Sequence, residues 1–187
     1  GFALLFIGLN ELKEAVPDLK SNPQILEFLS NYTDLGIISV LIFIAIGTLL
    51  TVIVQSSSAS MALTLVMANQ GWIPFEMAAA MVLGENIGTT ITANLAAVIG
   101  NIHAKRAARA HFIFNIFGVV WMILIFNFFL RGIDAYMQNT QGISPMDPTQ
   151  FASIPVALSI FHTSFNIINT LLLVGFVNFI ARTVIKL

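Results

Sequence analysis

Two groups of hydrogen-bonding side chains stand inside long apolar runs, where polar groups are costly unless satisfied. The first is Gln55-Ser56-Ser57-Ser58, with Ser60 and Thr64 continuing one helical face. A single serine in such a run packs as a small residue and bonds back to its own helix. Three in a row behind a glutamine, at a helix break, point instead to an oxyanion site. There the hydroxyls, the Gln amide and the free N–H groups opening a helix at Ala59 converge on an anion, with the positive dipole end facing it. The second group is Gly84-Glu85-Asn86-Ile87-Gly88-Thr89-Thr90, followed by Thr92 and Asn94. Gly84 and Gly88 alone would mark close helix packing. The polar residues around them, beside unwound carbonyls, suit a hard monovalent cation such as Na+. Glu85, an intramembrane carboxylate, is a candidate cation ligand, proton carrier or partner of a neighbouring amide.

What is missing bears on coupling. Between Lys20 and Lys105 there is no Lys or Arg, and a helix end supplies only about half a charge. A bound anion therefore needs co-bound cations, which points to cation-coupled anion transport; a passive anion pore would show basic rings. A third pattern, His-x-x-Phe-Asn, occurs at His111–Asn115 and again at His162–Asn166. Each His and Asn fall on one helix face, a spacing that suits a proton relay or, as the expected reading, structural pairs cross-bonding the helices of a bundle. A Ser/His hydrolase finds no triad pattern and no nucleophile elbow, so no enzyme is expected.

The elements that must carry these groups are membrane helices. The 187 residues are 57% hydrophobic and 9% charged, with mean hydropathy +0.90 and net charge −1. Soluble domains carry about 25% charged residues. A soluble enzyme, a disordered chain and a nucleic-acid binder are excluded, and the absence of cysteine excludes disulfide scaffolds, thiol catalysis and Cys-type zinc. The expectation is an all-α, multi-pass membrane protein in three parts.

Residues 1–34 are read as the end of a transmembrane helix (Gly1 to Leu9) and a polar connector, with a short interfacial helix at Pro23 to Leu29. Residues 35–130 are the transport core, and 131–187 an outer loop and a last transmembrane helix. As one straight helix, Leu35 to Gln70 would measure roughly 54 Å. That is too long for one ~30 Å crossing and too short for two, so a re-entrant hairpin with its tip at Gln55–Ser58 is expected. Gly71-Trp72-Ile73-Pro74 reads as a turn, and the run Pro74 to Ile99 should break at Gly84–Thr90. A basic linker, Asn101 to Arg109, precedes a span to about Leu130, and a polar loop to about Gln150 precedes a span from Phe151 to about Ile180. Lys105, Arg106 and Arg109 share a side with Arg182 and Lys186, so the positive-inside rule makes 101–109 and 182–187 cytoplasmic and puts 131–150 outside. The hairpin reading puts residues 10–34 outside too, with Lys13 and Lys20. A single broken crossing would fit the charge rule better, yet length favours the hairpin.

The pair Gln55-Ser56-Ser57-Ser58 and Gly84-Glu85-Asn86-Ile87-Gly88-Thr89-Thr90, about 30 residues apart, closely resembles the signature of the type II sodium–phosphate cotransporter family. The basic linker and Ala110-His111-x-x-Phe114-Asn115 look like its bacterial branch. The resemblance covers about residues 35–130. It implies half of an inverted-repeat secondary transporter, the second repeat, with a re-entrant hairpin and an unwound helix. The implied function is Na+-coupled import of inorganic phosphate through the cell (inner) membrane. Phosphate ligands would be Gln55, Ser56, Ser57, Ser58, Thr89 and Thr90; Na+ ligands would be Gln55, Ser58, Glu85, Asn86, Thr89 and Thr90. Na+ is a co-substrate, and no organic cofactor is expected. Partners would be phosphate, Na+, the lipid bilayer, the other repeat and, in a homo-oligomer, further copies; nucleic acid is not among them. Glu85 departs from animal members, which usually carry a small residue there. Rival readings are H+ coupling through Glu85, another oxyanion, or a phosphate-sensing membrane subunit that does not transport.

Overall fold

The computed structural model describes residues 35–186, with Tyr32, Thr33 and positions 4, 7, 8 and 11. The expected interfacial helix at Pro23–Leu29 lies outside the described residues, as does most of the stretch before it. Every regular element among the described residues is helical. They are α1 (Ile37–Val54), α2 (Ser57–Asn69), α3 (Phe75–Ala97), α4 (Ile102–Gln141), α5 (Ile154–Leu173) and α6 (Val177–Lys186), with single 3-10 turns at Phe151–Ser153 and Val174–Phe176. Among the described residues, three segments are long and apolar enough to cross a membrane: Ile37–Val54, Ile102–Gln141 and Phe151–Lys186.

α1 and α3 run in the same direction. Ile37 and Val40 line one cavity with Glu76 and Met77, Ile44 and Thr48 lie against Gly84, and Thr51 lies against Gly88. α2, joined to α3 by the short turn at Gly71–Pro74, therefore carries the chain back. Glycines permit this closeness. A Cβ on Gly47 would overlap the Met81 carbonyl, and one on Gly84 would overlap that of Ile44. At Gly88 it would come within 2.7 Å of the Thr48 carbonyl oxygen.

This packing corrects one expectation. α3 is a continuous helix through Gly84–Thr90, because the glycines seat α1 and the polar side chains bond to their own helix. Asn86 Nδ2 donates to the Val82 carbonyl (3.2 Å), Thr89 Oγ1 to that of Glu85 (2.8 Å) and Thr90 Oγ1 to that of Ile87 (2.7 Å). The carbonyls expected to be freed for a cation stay in the helix.

A second correction concerns α4. The basic linker is itself helical, capped by Asn101 Oδ1 accepting from the Ala104 amide at 2.9 Å. The helix then runs 40 residues to Gln141, roughly 60 Å, so the loop expected over 131–150 begins only at Gly142, whose φ of 69° ends the helix. α5 returns antiparallel along α4 on an aromatic seam. Phe161 meets Phe129 edge-on at 5.8 Å and Phe126 at 6.3 Å, and Trp121 stacks on Phe165 at 5.8 Å. One end of the bundle gathers the start of α1, the α2–α3 turn and the 142–150 loop. The other gathers the basic start of α4 and α6.

Candidate functional site at the helix reversal

α1 stops because Gln55 turns left-handed, at φ 57°, with its N–H on the Thr51 carbonyl at 2.8 Å. Gln55 is the one non-glycine residue with positive φ among those described. Such a conformation costs about 1–2 kcal/mol for an L residue and persists where its surroundings enforce it. Ser56 is extended and caps α2, accepting from the Ala59 amide at 3.3 Å, and its hydroxyl lies 3.3 Å from that of Ser58. Ser60 Oγ donates back to the Ser56 carbonyl at 3.0 Å. Gln55, Ser57 and Ser58 are exposed on the protein surface at this corner. The reversal thus presents hydroxyls, an amide and the opening N–H groups of α2 together, a donor set suited to an oxyanion.

Behind it lies a polar junction of all three helices. Thr64 Oγ1 of α2 donates to Glu85 Oε1 of α3 at 2.7 Å. Thr48 Oγ1 of α1 reaches the carbonyls of Ile44 (2.8 Å) and Gly84 (3.0 Å). Glu85 is 2% exposed, and its Oε2 is a buried oxygen without a hydrogen-bond partner; Thr51 Oγ1 is another. Thr51 packs on Gly88, one turn along α3 from Glu85. Oxygen atoms without donors inside a protein are suited to a cation or a proton.

The residues expected to form the site are therefore gathered unevenly. Glu85 is tied to the hairpin through Thr64, a pairing the spacing did not reveal. Asn86, Thr89 and Thr90 lie on α3 but spend their hydrogen bonds on its backbone. Among the described residues, no side-chain hydrogen bond joins them to Gln55, Ser57 or Ser58. Among the described residues, neither His/Asn pair makes a side-chain hydrogen bond to another helix: His111 and Asn115 make none, and Asn166 Nδ2 donates to its own helix at the His162 carbonyl, 2.8 Å away. That role falls to Asn169, which accepts from Trp121 Nε1 at 3.0 Å and donates to the Phe114 carbonyl at 3.2 Å. Asn94 does the same between α3 and the Ala108 carbonyl of α4, at 3.0 Å.

Residues 4–146 match the family described as Na+/Pi-cotransporter. The chain is 31% identical to the uncharacterized protein YqeW of Bacillus subtilis over 98% of its own length and 54% of that protein's. It is 28% identical to the putative inorganic phosphate export protein YjbB of Escherichia coli, over 97% of this chain and 30% of that one. It is 38% identical to the sodium-dependent phosphate transport protein 2C of Mus musculus, over 48% of this chain and 16% of that one. The chain thus spans about half, or less, of the length of these relatives. No solved structure matches it.

Proposed function

The chain belongs to the Na+/Pi-cotransporter family, a family of membrane transporters, and from that premise we propose that it forms one repeat of a Na+-coupled phosphate carrier. Phosphate sits on the reversal, held by Gln55, Ser56, Ser57 and Ser58 and by the first amides of α2. A second, inverted repeat supplies the facing half, because the donors at the reversal are exposed and a charged substrate must be enclosed to cross. Na+ takes oxygen ligands at the same place, with Glu85, Asn86, Thr89 and Thr90 the candidates from α3.

The observation that supports this reading most is the charge balance of the hairpin unit. From α1 to α3 the chain carries no Lys or Arg, while Glu85 is buried there with one hydrogen bond. Anion and carboxylate together need cations. The reversal acts as a re-entrant tip: α3 continues nine residues past Gly88, the partner of Thr51, while α1 runs only four past Thr51 to Gln55, so the tip stops roughly 7 Å short of the end of α3. With the basic start of α4 and α6 cytoplasmic, the tip is reached from outside along α1, and import is the working direction.

Binding of the two substrates is then linked, each raising the other's affinity by the same factor. Titrating phosphate onto the purified protein at low and high Na+, with ionic strength held by choline, should give a lower dissociation constant at high Na+. An unchanged constant overturns Na+ coupling. Glu85 Oε2, free of any partner, favours one second reading, H+ coupling; a proton gradient driving uptake into Na+-free proteoliposomes would select it. Phosphate binding without uptake under either gradient would instead mark a sensor subunit.

A further inference from the structure

At the end of the bundle opposite the loop, Lys105 and Arg109 stand one helical turn apart near the start of α4. With Ile91, Leu95 and Val98 of α3 and its C-terminal turn, and Phe112 of α4, they line an open cavity of about 540 Å³. The walls are apolar and the two cations lie along one side. The described carboxylates from Glu76 onward are engaged or distant. Glu85 accepts from Thr64, Asp134 from Ser144 and Gln138, and Asp147 from Thr149 and Gln150. Glu76 lies at the loop end of the bundle. Asn94, also in the lining, already donates to the carbonyls of Thr90 and Ala108. Lys105, at the end of the first turn of α4, also faces the positive end of its dipole, an unfavourable place unless an anion joins it.

We propose that this cavity is a binding site for an anionic phospholipid, the headgroup phosphate between Lys105 and Arg109 and an acyl chain along Ile91, Leu95 and Phe112. A free phosphate ion would use the cations but leave the apolar walls unmatched; a phospholipid matches both, and basic pockets between membrane helices bind such headgroups. Ile99, 95% exposed, and Ile102, 50% exposed, continue the apolar surface beside the mouth.

The site is tested on the purified protein in neutral detergent, offered equal phosphatidylglycerol and phosphatidylcholine, with retained lipid counted by native mass spectrometry. Two cations near the headgroup should favour phosphatidylglycerol roughly thirtyfold. Lys105→Gln with Arg109→Gln should bring the ratio near parity. Lys105→Arg with Arg109→Lys should keep it, as should Arg131→Gln, which removes a charge far along α4. Equal retention of the two lipids by the wild type overturns the proposal. So does displacement of phosphatidylglycerol by millimolar inorganic phosphate, which would make the occupant a free anion. The lipid ratio and the phosphate competition are both read on the wild type, so the test stands if the double glutamine variant fails to fold.

Discussion

The two halves of the bundle are built from the same apolar alphabet and put it to opposite uses. In α4 and α5 large rings fill the interface: Phe126, Phe129, Phe161, Phe165 and Trp121 interlock, and the buried amide of Asn169 has both ends bonded. In α1, α2 and α3 buried apolar residues such as Phe43, Met81 and Leu83 are joined by glycines and polar side chains. Gly47, Gly84 and Gly88 bring backbones together, and the space left holds Thr48, Thr51, Ser60, Thr64 and Glu85. Two oxygens there have no partner, and the chain reverses through a strained glutamine. The aromatic seam has only packing to offer, whereas the buried oxygens without partners and the left-handed turn at Gln55 are the features on which the proposed site rests.

The largest effect that can break this contrast is steric. Gly84→Ala puts a methyl into the Ile44 carbonyl, where only backbone movement can relieve it. The loss should exceed the 1–3 kcal/mol typical of overpacking. Gly132→Ala, with nothing within 4 Å of its new methyl, should be neutral or gain about 0.5–1 kcal/mol from helix propensity. Thermal unfolding of both variants in detergent measures it; equal melting temperatures would show that α1 and α3 are not pressed together.

Next come the donors of the reversal. Ser57→Ala and Gln55→Ala remove a candidate hydrogen bond to a charged ligand, worth about 1.5–3 kcal/mol. Phosphate affinity should drop ten- to a hundredfold in the complete transporter, with melting temperature unchanged. Labelled-phosphate uptake reads the first and unfolding the second. Wild-type uptake in both variants removes the reversal from the site.

Glu85→Gln is a finer probe of the polar junction. The amide keeps an oxygen for Thr64 but loses the charge, so Na+ activation should shift to higher concentration more than maximal uptake falls. Superimposable Na+ curves for variant and wild type would take Glu85 out of the cation site.

The smallest effect lies in the loop after α4. The hydroxyl and amide of Thr149, with the Gln150 amide, hold the Asp147 carboxyl below its ordinary value. A depressed native value adds order to the loop that is present above the ordinary carboxylate range and is lost as pH falls through the native value. Hydrogen exchange at the Thr149 amide should quicken on acidification in the wild type, and in Asp147→Asn should change little with pH beyond the intrinsic rate.

How much of this the sequence revealed follows from where the deciding partner lies. The break at Gln55–Ser58 and the turn at Gly71–Pro74 are local events, written in the residues that make them, and both stand where they were expected, whereas the cap at Asn101 is equally local but reads in the sequence as part of a linker. The expected break at Gly84–Thr90 failed because two glycines can either release a helix or seat another one. The residues that choose, Ile44 and Thr48, are a whole hairpin away. The same distance hid Thr64 as the partner of Glu85 and Asn169 as the partner of Trp121. The length of α4 was hidden differently. Residues 131–141 are polar enough to read as a loop, yet they contain no proline, and Gly132 alone does not end a helix.

The glycine seats between α1 and α3 also set what can move. Helices in side-chain contact can slide past one another as rotamers adjust, but carbonyls resting in notches at Gly47, Gly84 and Gly88 act as a ratchet pawl. Axial travel of less than a full turn would drive backbone into backbone. The notches therefore oppose sliding of α1 along α3, and in the proposed carrier a path past the reversal would open by tilting the two together against α4 and α5 or by swinging α2 away from them.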